Sequence, residues 1–169
     1  MQKIMIIGNS GSGKSTLAKK LSKKLALPVR HLDLDFWSPG WTPPDKPKWR
    51  QRLERFLTAS DKWVIEGGIN NPDLRFKYPD TIIILDIPTW RCLWSVIKRR
   101  FFQNPELPKG CPNKLDIALI KYILAYKKRL QALEPFIKQY QDCKQIVRFN
   151  SREDATAFVD SLNDSNHAA

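Results

Sequence analysis

Four apolar residues, Ile4-Met5-Ile6-Ile7, run directly into Gly8-Asn9-Ser10-Gly11-Ser12-Gly13-Lys14-Ser15-Thr16, and no other stretch limits the fold so narrowly. The apolar run has the pattern of a strand buried on both faces of a parallel sheet. The segment after it fits G-x-x-x-x-G-K-[ST], a loop whose backbone N–H groups cradle phosphates when it joins a strand to a helix. That helix is readable as well. Leu17, Leu21 and Leu25 recur at i, i+4 and i+8, while Lys19, Lys20, Lys23 and Lys24 fall on the other side. Glycine permits positive φ and a close approach to an oxygen-rich anion, and the helix N-terminus adds its own partial positive charge. Lys14 is expected to reach the β and γ phosphates of ATP or GTP, and the Ser15 hydroxyl to ligate Mg²⁺. Gly8 through Thr16, with Arg152 at the start of the last predicted helix, form the expected nucleotide-binding set.

The remaining sequence alternates strand and helix patterns. Val29–Asp33, Trp63–Gly67, Thr81–Asp86 and Gln145–Phe149 read as strands, which with the first predicts a parallel sheet of about five strands. Pro47-Lys48-Trp49 opens one helix, with Trp49, Leu53, Phe56 and Leu57 on its apolar stripe. Thr89 is a candidate cap for another, with Leu93 and Ile97 inward and Lys98-Arg99-Arg100 at its end. Asn113 is the expected cap of a long segment, Leu115 to Gln141, bent near Pro135. Residues 151–162 read as the last helix and Asn163 to Ala169 as a frayed polar tail. Two proline-rich stretches, Phe36 to Pro47 and Phe101 to Pro112, interrupt the alternation. They fall beyond the carboxyl ends of strands, where open α/β sheets bind ligands, and so read as coverings for an acceptor and a donor.

Composition excludes several classes. With 42% hydrophobic and 27% charged residues, the chain is globular rather than disordered, and its 169 residues suit one domain. No apolar run approaches a membrane span or a signal-peptide core, so a cytoplasmic location without a membrane partner is expected. Cys92, Cys111 and Cys143 are an odd number without a Cys-x-x-Cys pair, and read as buried or idle thiols. The net charge of +12 raises nucleic acid as a partner, but no helix-turn-helix, zinc finger or RNA-binding motif accompanies it. Nucleic acid is therefore not the favoured partner; monomer and homodimer both stay open.

Beyond the loop, His31-Leu32-Asp33-Leu34-Asp35-Phe36-Trp37-Ser38-Pro39-Gly40-Trp41, Trp63-Val64-Ile65-Glu66-Gly67-Gly68, Leu85-Asp86-Ile87-Pro88, Lys98-Arg99-Arg100 and Gly110-Cys111-Pro112-Asn113-Lys114-Leu115-Asp116 follow in order. In that order they resemble the P-loop proteins related to nucleoside monophosphate kinases, most closely the bacterial topology modulation proteins, which are similar to adenylate kinase. The resemblance spans nearly the whole chain. It implies a three-layer P-loop NTPase fold, nucleoside monophosphate kinase-like, with sheet order 2-3-1-4-5. It also implies a single domain over residues 1–169, with a small acceptor-binding insertion at about 36–60 and a lid at about 101–114. The implied chemistry is transfer of the γ-phosphoryl of ATP, with Mg²⁺, to a small acceptor. Such transfer is catalysed mainly by positioning and by cations. Lys14, Arg99 and Arg100 are the candidates for that charge, with Lys109 or Lys114 assisting from the lid, although a solvated helix end also accounts for the arginine pair.

Asp33 and Asp35, read at the end of a strand, are spaced to leave on one face and are candidates for orienting the acceptor, or for capping the next loop. By resemblance, Glu66 stands where the adenylate-kinase pattern has an Asp that holds the Mg²⁺ water shell. Asp86 has a structural or a metal role. Adenylate kinase follows its Asp-Gly with an arginine that grips the acceptor phosphate; here Gly68-Ile69-Asn70-Asn71 follows and Arg75 is the nearest arginine. The lid stretch carries no arginine, and lysine lacks its bidentate fork. Trp37, Trp41 and Trp49 stack an acceptor base or pack a small subdomain. A hydroxyl-bearing metabolite is thus the alternative acceptor, and a nucleotide-gated DNA-binding protein the alternative class.

Overall fold

The computed structural model describes residues 1–102, 107–112 and 115–162. Strand β1 (Lys3–Gly8) is buried on both faces: Ile4 and Ile6 enter one apolar core, Met5 and Ile7 the other. That division is why its sequence is continuously apolar rather than alternating. Helix α1 (Lys14–Leu25) lays Leu17, Ala18 and Leu21 on the first core and ends at Ala26. Strand β2 (Val29–His31) is short and leads at once into helix α2 (Leu32–Phe36). After a 3-10 turn at Pro39–Trp41 comes α3 (Lys46–Thr58), where the Asp45 carboxylate accepts from Lys48 N–H. Its buried face, Trp49, Leu53 and Leu57, joins the second core. Each such leucine contributes about 2–5 kcal/mol on the scale of large-to-alanine truncations.

Strand β3 (Trp63–Gly67), helix α4 (Pro72–Lys77), strand β4 (Thr81–Leu85) and helix α5 (Thr89–Phe102) follow. After α5 and the described part of the stretch expected to form a lid, the chain forms α6 (Ile117–Leu124), α7 (Tyr126–Gln131) and α8 (Glu134–Tyr140), and closes with β5 (Gln145–Phe149) and α9 (Arg152–Ser161). All four strand pairings are parallel and the order is β2-β3-β1-β4-β5, as expected. This order puts the β1 carboxyl end, and so the phosphate loop, between β3 and β4 at the centre of the sheet.

Three boundaries differ from the expectation. Asp33 and Asp35 lie on α2 and not at the end of a strand, because Leu32 turns into the second core and the two carboxylates suit a first helical turn. The stretch from Leu115 to Gln141 is three helices. Pro135 has no N–H and clashes with the residue four before it, so the chain breaks and restarts at α8. Asp116 caps α6, its carboxylate accepting from Leu119 N–H at 2.8 Å. Asn113, Lys114, the middle of the expected lid and the expected tail from 163 onward lie outside the described residues. No helix among the described residues is long and apolar enough to cross a membrane.

Candidate active site

A cleft of about 970 Å³ opens above the carboxyl ends of β1, β2 and β3, floored by the phosphate loop. Two loop glycines hold the shape that phosphate binding needs. Gly11 has φ +76°, and a Cβ there would sit 2.4 Å from the Cys92 carbonyl oxygen; Gly13, with φ +100°, precedes α1. The first-turn amides of α1 have no acceptor within the helix, so they face the cleft as donors. Lys14 Nζ donates to the Asn9 carbonyl at 2.9 Å and lies along the loop, lining the cleft. Asn9 is a brace: its Nδ2 donates to the Ile123 carbonyl at 3.0 Å and its Oδ1 accepts from Ser10 N–H. Ser12 Oγ is buried with no hydrogen-bond partner.

Beside the loop, Glu66 ends β3 with its side chain buried. Its Oε1 receives Ser15 Oγ–H at 2.9 Å and lies 2.8 Å from His31 Nδ1. Its Oε2 is buried and unpartnered. Burial pushes the carboxyl pKa up, but the His31 bond, the Lys14 charge and the Ser15 bond outweigh it and hold the group below the usual glutamate range. A buried anionic oxygen without a donor, next to a serine hydroxyl, fits a hydrated divalent cation bound with a nucleotide. Among the described residues, no cluster of three or more His, Cys, Asp or Glu forms a metal site of its own.

Asp33 and Arg75 also line the cleft. Asp33 is exposed there; desolvation by the surrounding walls still raises its carboxyl above the usual aspartate value, against Lys14, Arg75 and the Gly68 backbone N–H. Arg75 is buried at the end of α4, donating to the Asn70 carbonyl through Nε and toward Met5 Sδ through Nη1. Burial drops its pKa to about 10, with Asp33 and Glu66 opposing the shift. Among the described residues no carboxylate pairs with it. Gly68 sits under Tyr122, whose Oη would lie 3.2 Å from any Cβ there.

Asp35, by contrast, leaves α2 on the other side. Residues i and i+2 of a helix point about 200° apart, and Asp35 is held by Arg30 at 2.8 Å and Arg52 at 3.3 Å, outside the cleft lining. The shared face expected for the two aspartates is therefore absent. Trp37 and Trp41 both line the cleft and pack edge-on, Trp37 against Phe36 and Trp41. Trp49 is buried beneath them against Phe36.

Of the α5 arginines, Arg99 lines the cleft close enough to Asp33 for their charges to interact, and burial lowers its pKa. Arg100 and Lys109 are exposed and not part of the lining. Arg152 reaches the loop but donates to the Gly11 carbonyl at 2.7 Å, the Ser12 carbonyl at 3.3 Å and Ser95 Oγ at 2.7 Å, so it supports the loop from beside it. Asp86 lies past β4, outside this cleft. Sequence reasoning missed His31 and Tyr122. His31 needs the parallel β2–β3 register, which sets it opposite Glu66, and Tyr122 needs the fold of α6 over Gly68.

No protein-family model matches the chain, and no curated protein matches it. Solved structures do. An unliganded sugar kinase from a Janibacter species is similar with a TM-score of 0.62 at 20% identity, over 95% of this chain and 91% of that one. Shikimate kinase from Acinetobacter baumannii, in complex with shikimate, gives 0.61 at 15% identity over 95% and 89%. Shikimate kinase from Bacteroides thetaiotaomicron gives 0.53 at 19% over 93% of both chains. The chain has the P-loop kinase fold.

Proposed function

We propose that this protein is a phosphotransferase that moves the γ-phosphoryl group of ATP, bound with Mg²⁺, onto a hydroxyl of a small molecule that also carries an anionic group. The observation that supports this most is that Asp33 and Arg75 both line the cleft, near enough for their charges to interact but without a direct ion pair. A buried guanidinium without a carboxylate partner is costly, and an anionic group on the acceptor would relieve it. Asp33 fits a hydroxyl nucleophile. Its raised pKa suits a proton acceptor, whereas a phosphate nucleophile would bring like charge against it. The resemblance to nucleoside monophosphate kinases and topology modulation proteins supports the donor half of this reading; Asp33 and the missing arginine after Gly67 argue for the hydroxyl acceptor.

In the reaction, Asp33 takes the proton of the acceptor hydroxyl as the new O–P bond forms and the bond from the γ-phosphorus to its bridging oxygen breaks. ADP leaves with the negative charge. Lys14, the α1 first-turn amides and Arg99 stabilise charge on the moving phosphoryl group. Ser15 and Glu66 would hold the Mg²⁺, which when bound would neutralise phosphate charge. Arg75 anchors the acceptor, and the aromatic wall at Trp37 limits water entry.

An ADP-release assay tests this with a panel of hydroxy acids, sugar phosphates, neutral polyols and nucleoside monophosphates, with Lys14→Ala as control. Turnover of a hydroxyl-bearing anion, abolished in Lys14→Ala, is the expected result. Turnover of nucleoside monophosphates alone overturns the acceptor assignment, and turnover of nothing overturns the enzyme reading.

A further inference from the structure

Large apolar side chains left in solvent gather on two neighbouring helices. Trp90, Trp94, Phe101, Ile117 and Leu124 are each between 58% and 71% exposed, and among the described residues only Met1 and Tyr122 add to them. Trp90, Trp94 and Phe101 stand at i, i+4 and i+11 of α5, which returns them to one side of the helix. The flank of α5 carrying Ser95 and Arg99 belongs to the cleft, and Arg152 of α9 bonds the Arg91 carbonyl and Ser95 Oγ there. Helix α6 packs against α5, directing Leu119 and Ile123 inward and leaving Ile117 and Leu124 outside. Trp90 also shares a shallow hollow with Lys127, which brings the start of α7 alongside.

The charge around this ridge is mostly positive, with Asp86, Asp116 and Glu153 at its borders. Helices α5, α6 and α7 contain no acidic residue, and Lys98, Arg100, Lys121, Lys127 and Lys128 are all exposed on them. Residues 89–131 carry ten of the chain's 29 lysines and arginines but only two of its 17 acidic residues. That imbalance selects among occupants. A second copy docking by the same face would set cations against cations. A nucleic-acid backbone would take the cations but leave Ile117 and Leu124, which have no ring to stack on a base, against sugar and phosphate. A lipid surface accommodates both parts, with indole and phenyl rings at headgroup level, aliphatic side chains at the acyl boundary, and lysines on headgroup phosphates.

We propose that the α5–α6 ridge docks peripherally on an anionic lipid bilayer. Apolar contact and cationic attraction act together, the two signals that stable surface binding requires. The sequence-based expectation of no membrane partner rests on the lack of a spanning run, and a face assembled from two helices is invisible to a window along one. The apolar contact is separate from the chemistry in the cleft, since Trp90, Trp94, Phe101, Ile117 and Leu124 are not part of its lining, although Lys98 and Tyr122 border both.

Co-sedimentation with phosphatidylglycerol-containing vesicles against pure phosphatidylcholine vesicles, at low and high salt, tests the assignment. The full chain is compared with a Trp90→Ser/Trp94→Ser double variant. The expected result is binding to anionic vesicles at least about tenfold tighter than to neutral ones, weakened by salt. The double variant should lose at least about tenfold while its circular dichroism stays unchanged. Equal partition of the two proteins, or of the two vesicle types, overturns the proposal. So does a concentration-dependent dimer that the double variant abolishes, or an oligonucleotide that binds in preference to vesicles and depends on the same tryptophans.

Discussion

Glu66 gives one carboxylate oxygen to two partners, Ser15 and His31, and keeps the other buried without any. The longer side chain carries the charge one methylene beyond the reach of an aspartate, and His31 fixes where it ends. On the proposed Mg²⁺ role of Glu66, His31 would be a positioning residue for the cation. His31→Gln, which keeps a donor, should retain most metal affinity; His31→Ala should weaken Mn²⁺ binding in the presence of nucleotide by about three- to thirtyfold. Electron paramagnetic resonance of Mn²⁺ reads this directly, and equal affinities in the two variants would show that Glu66 needs no such support. Asp33 leads to a stability prediction with a defined sign. Its folded-state pKa is raised, so the protonated form is favoured on folding; that contribution is complete below the unfolded pKa and is lost as pH rises through the folded one. Asp33→Asn should thus melt higher than the parent at neutral pH and at the same temperature near pH 3, while kcat drops about 10²–10⁴-fold. A variant that melts lower at neutral pH would mean that the Gly68 bond to the carboxylate outweighs its enclosure. Of these residues, Lys14, Glu66 and Arg75 were legible in sequence because a motif or an offset from one marks them. The Oε1 pinning of Glu66 was not, because it depends on strand register.

At the scale of elements, legibility followed how local the cause was. The β1-loop-α1 unit is dictated by residues within it, and it forms as read. The β2–α2 boundary was misread because Val29 to Asp33 alternates like a strand, while the decision to turn is made by Leu32 packing among Met5, Ile65 and Leu53 in the second core. The breaks around α7 have two origins: Pro135 is visible in the sequence, but the turn at Ala125 goes with Tyr126 being drawn beneath β4, where its hydroxyl donates to the Leu85 carbonyl at 3.3 Å. One glycine of the phosphate loop and one of the 3-10 turn after α2 share a similar φ and allow a comparison. Gly11 (φ +76°) meets the Cys92 carbonyl oxygen, whereas Gly40 (φ +74°) has nothing within 4 Å. Gly40→Ala should cost about 1 kcal/mol of backbone strain, and Gly11→Ala about 2–4 kcal/mol because backbone must also move. Urea denaturation separates the two. Equal midpoints would show that the loop yields to the added methyl group.

For the whole molecule, the two coverings that the sequence assigned to different substrates are joined. Gly40 N–H donates to the Gly110 carbonyl at 2.9 Å, Trp41 Nε1–H to the Pro112 carbonyl at 2.9 Å, and Cys111 Sγ–H to the Ser38 carbonyl at 3.2 Å. The proline-rich stretch after β2 and the described end of the lid segment therefore form one strap across the mouth of the cleft. No pattern within either stretch could reveal this, because each supplies only half of every bond. If the two stretches cover acceptor and donor in the proposed reaction, a joined strap would couple them, so that binding of either substrate favours the arrangement that holds the other. Trp41→Phe keeps an aromatic ring against Trp37 and deletes one bond of the strap, worth about 0.5–1.5 kcal/mol. Both KM values, for ATP and for the acceptor, should rise by a similar factor of about two- to tenfold, with kcat changing less. If only the acceptor KM moves, Trp41 serves the acceptor wall alone and the strap does not act as a unit. If both move together, the same factor should appear in the equilibrium coupling, measured as the ratio of acceptor affinities with and without a non-hydrolysable ATP analogue.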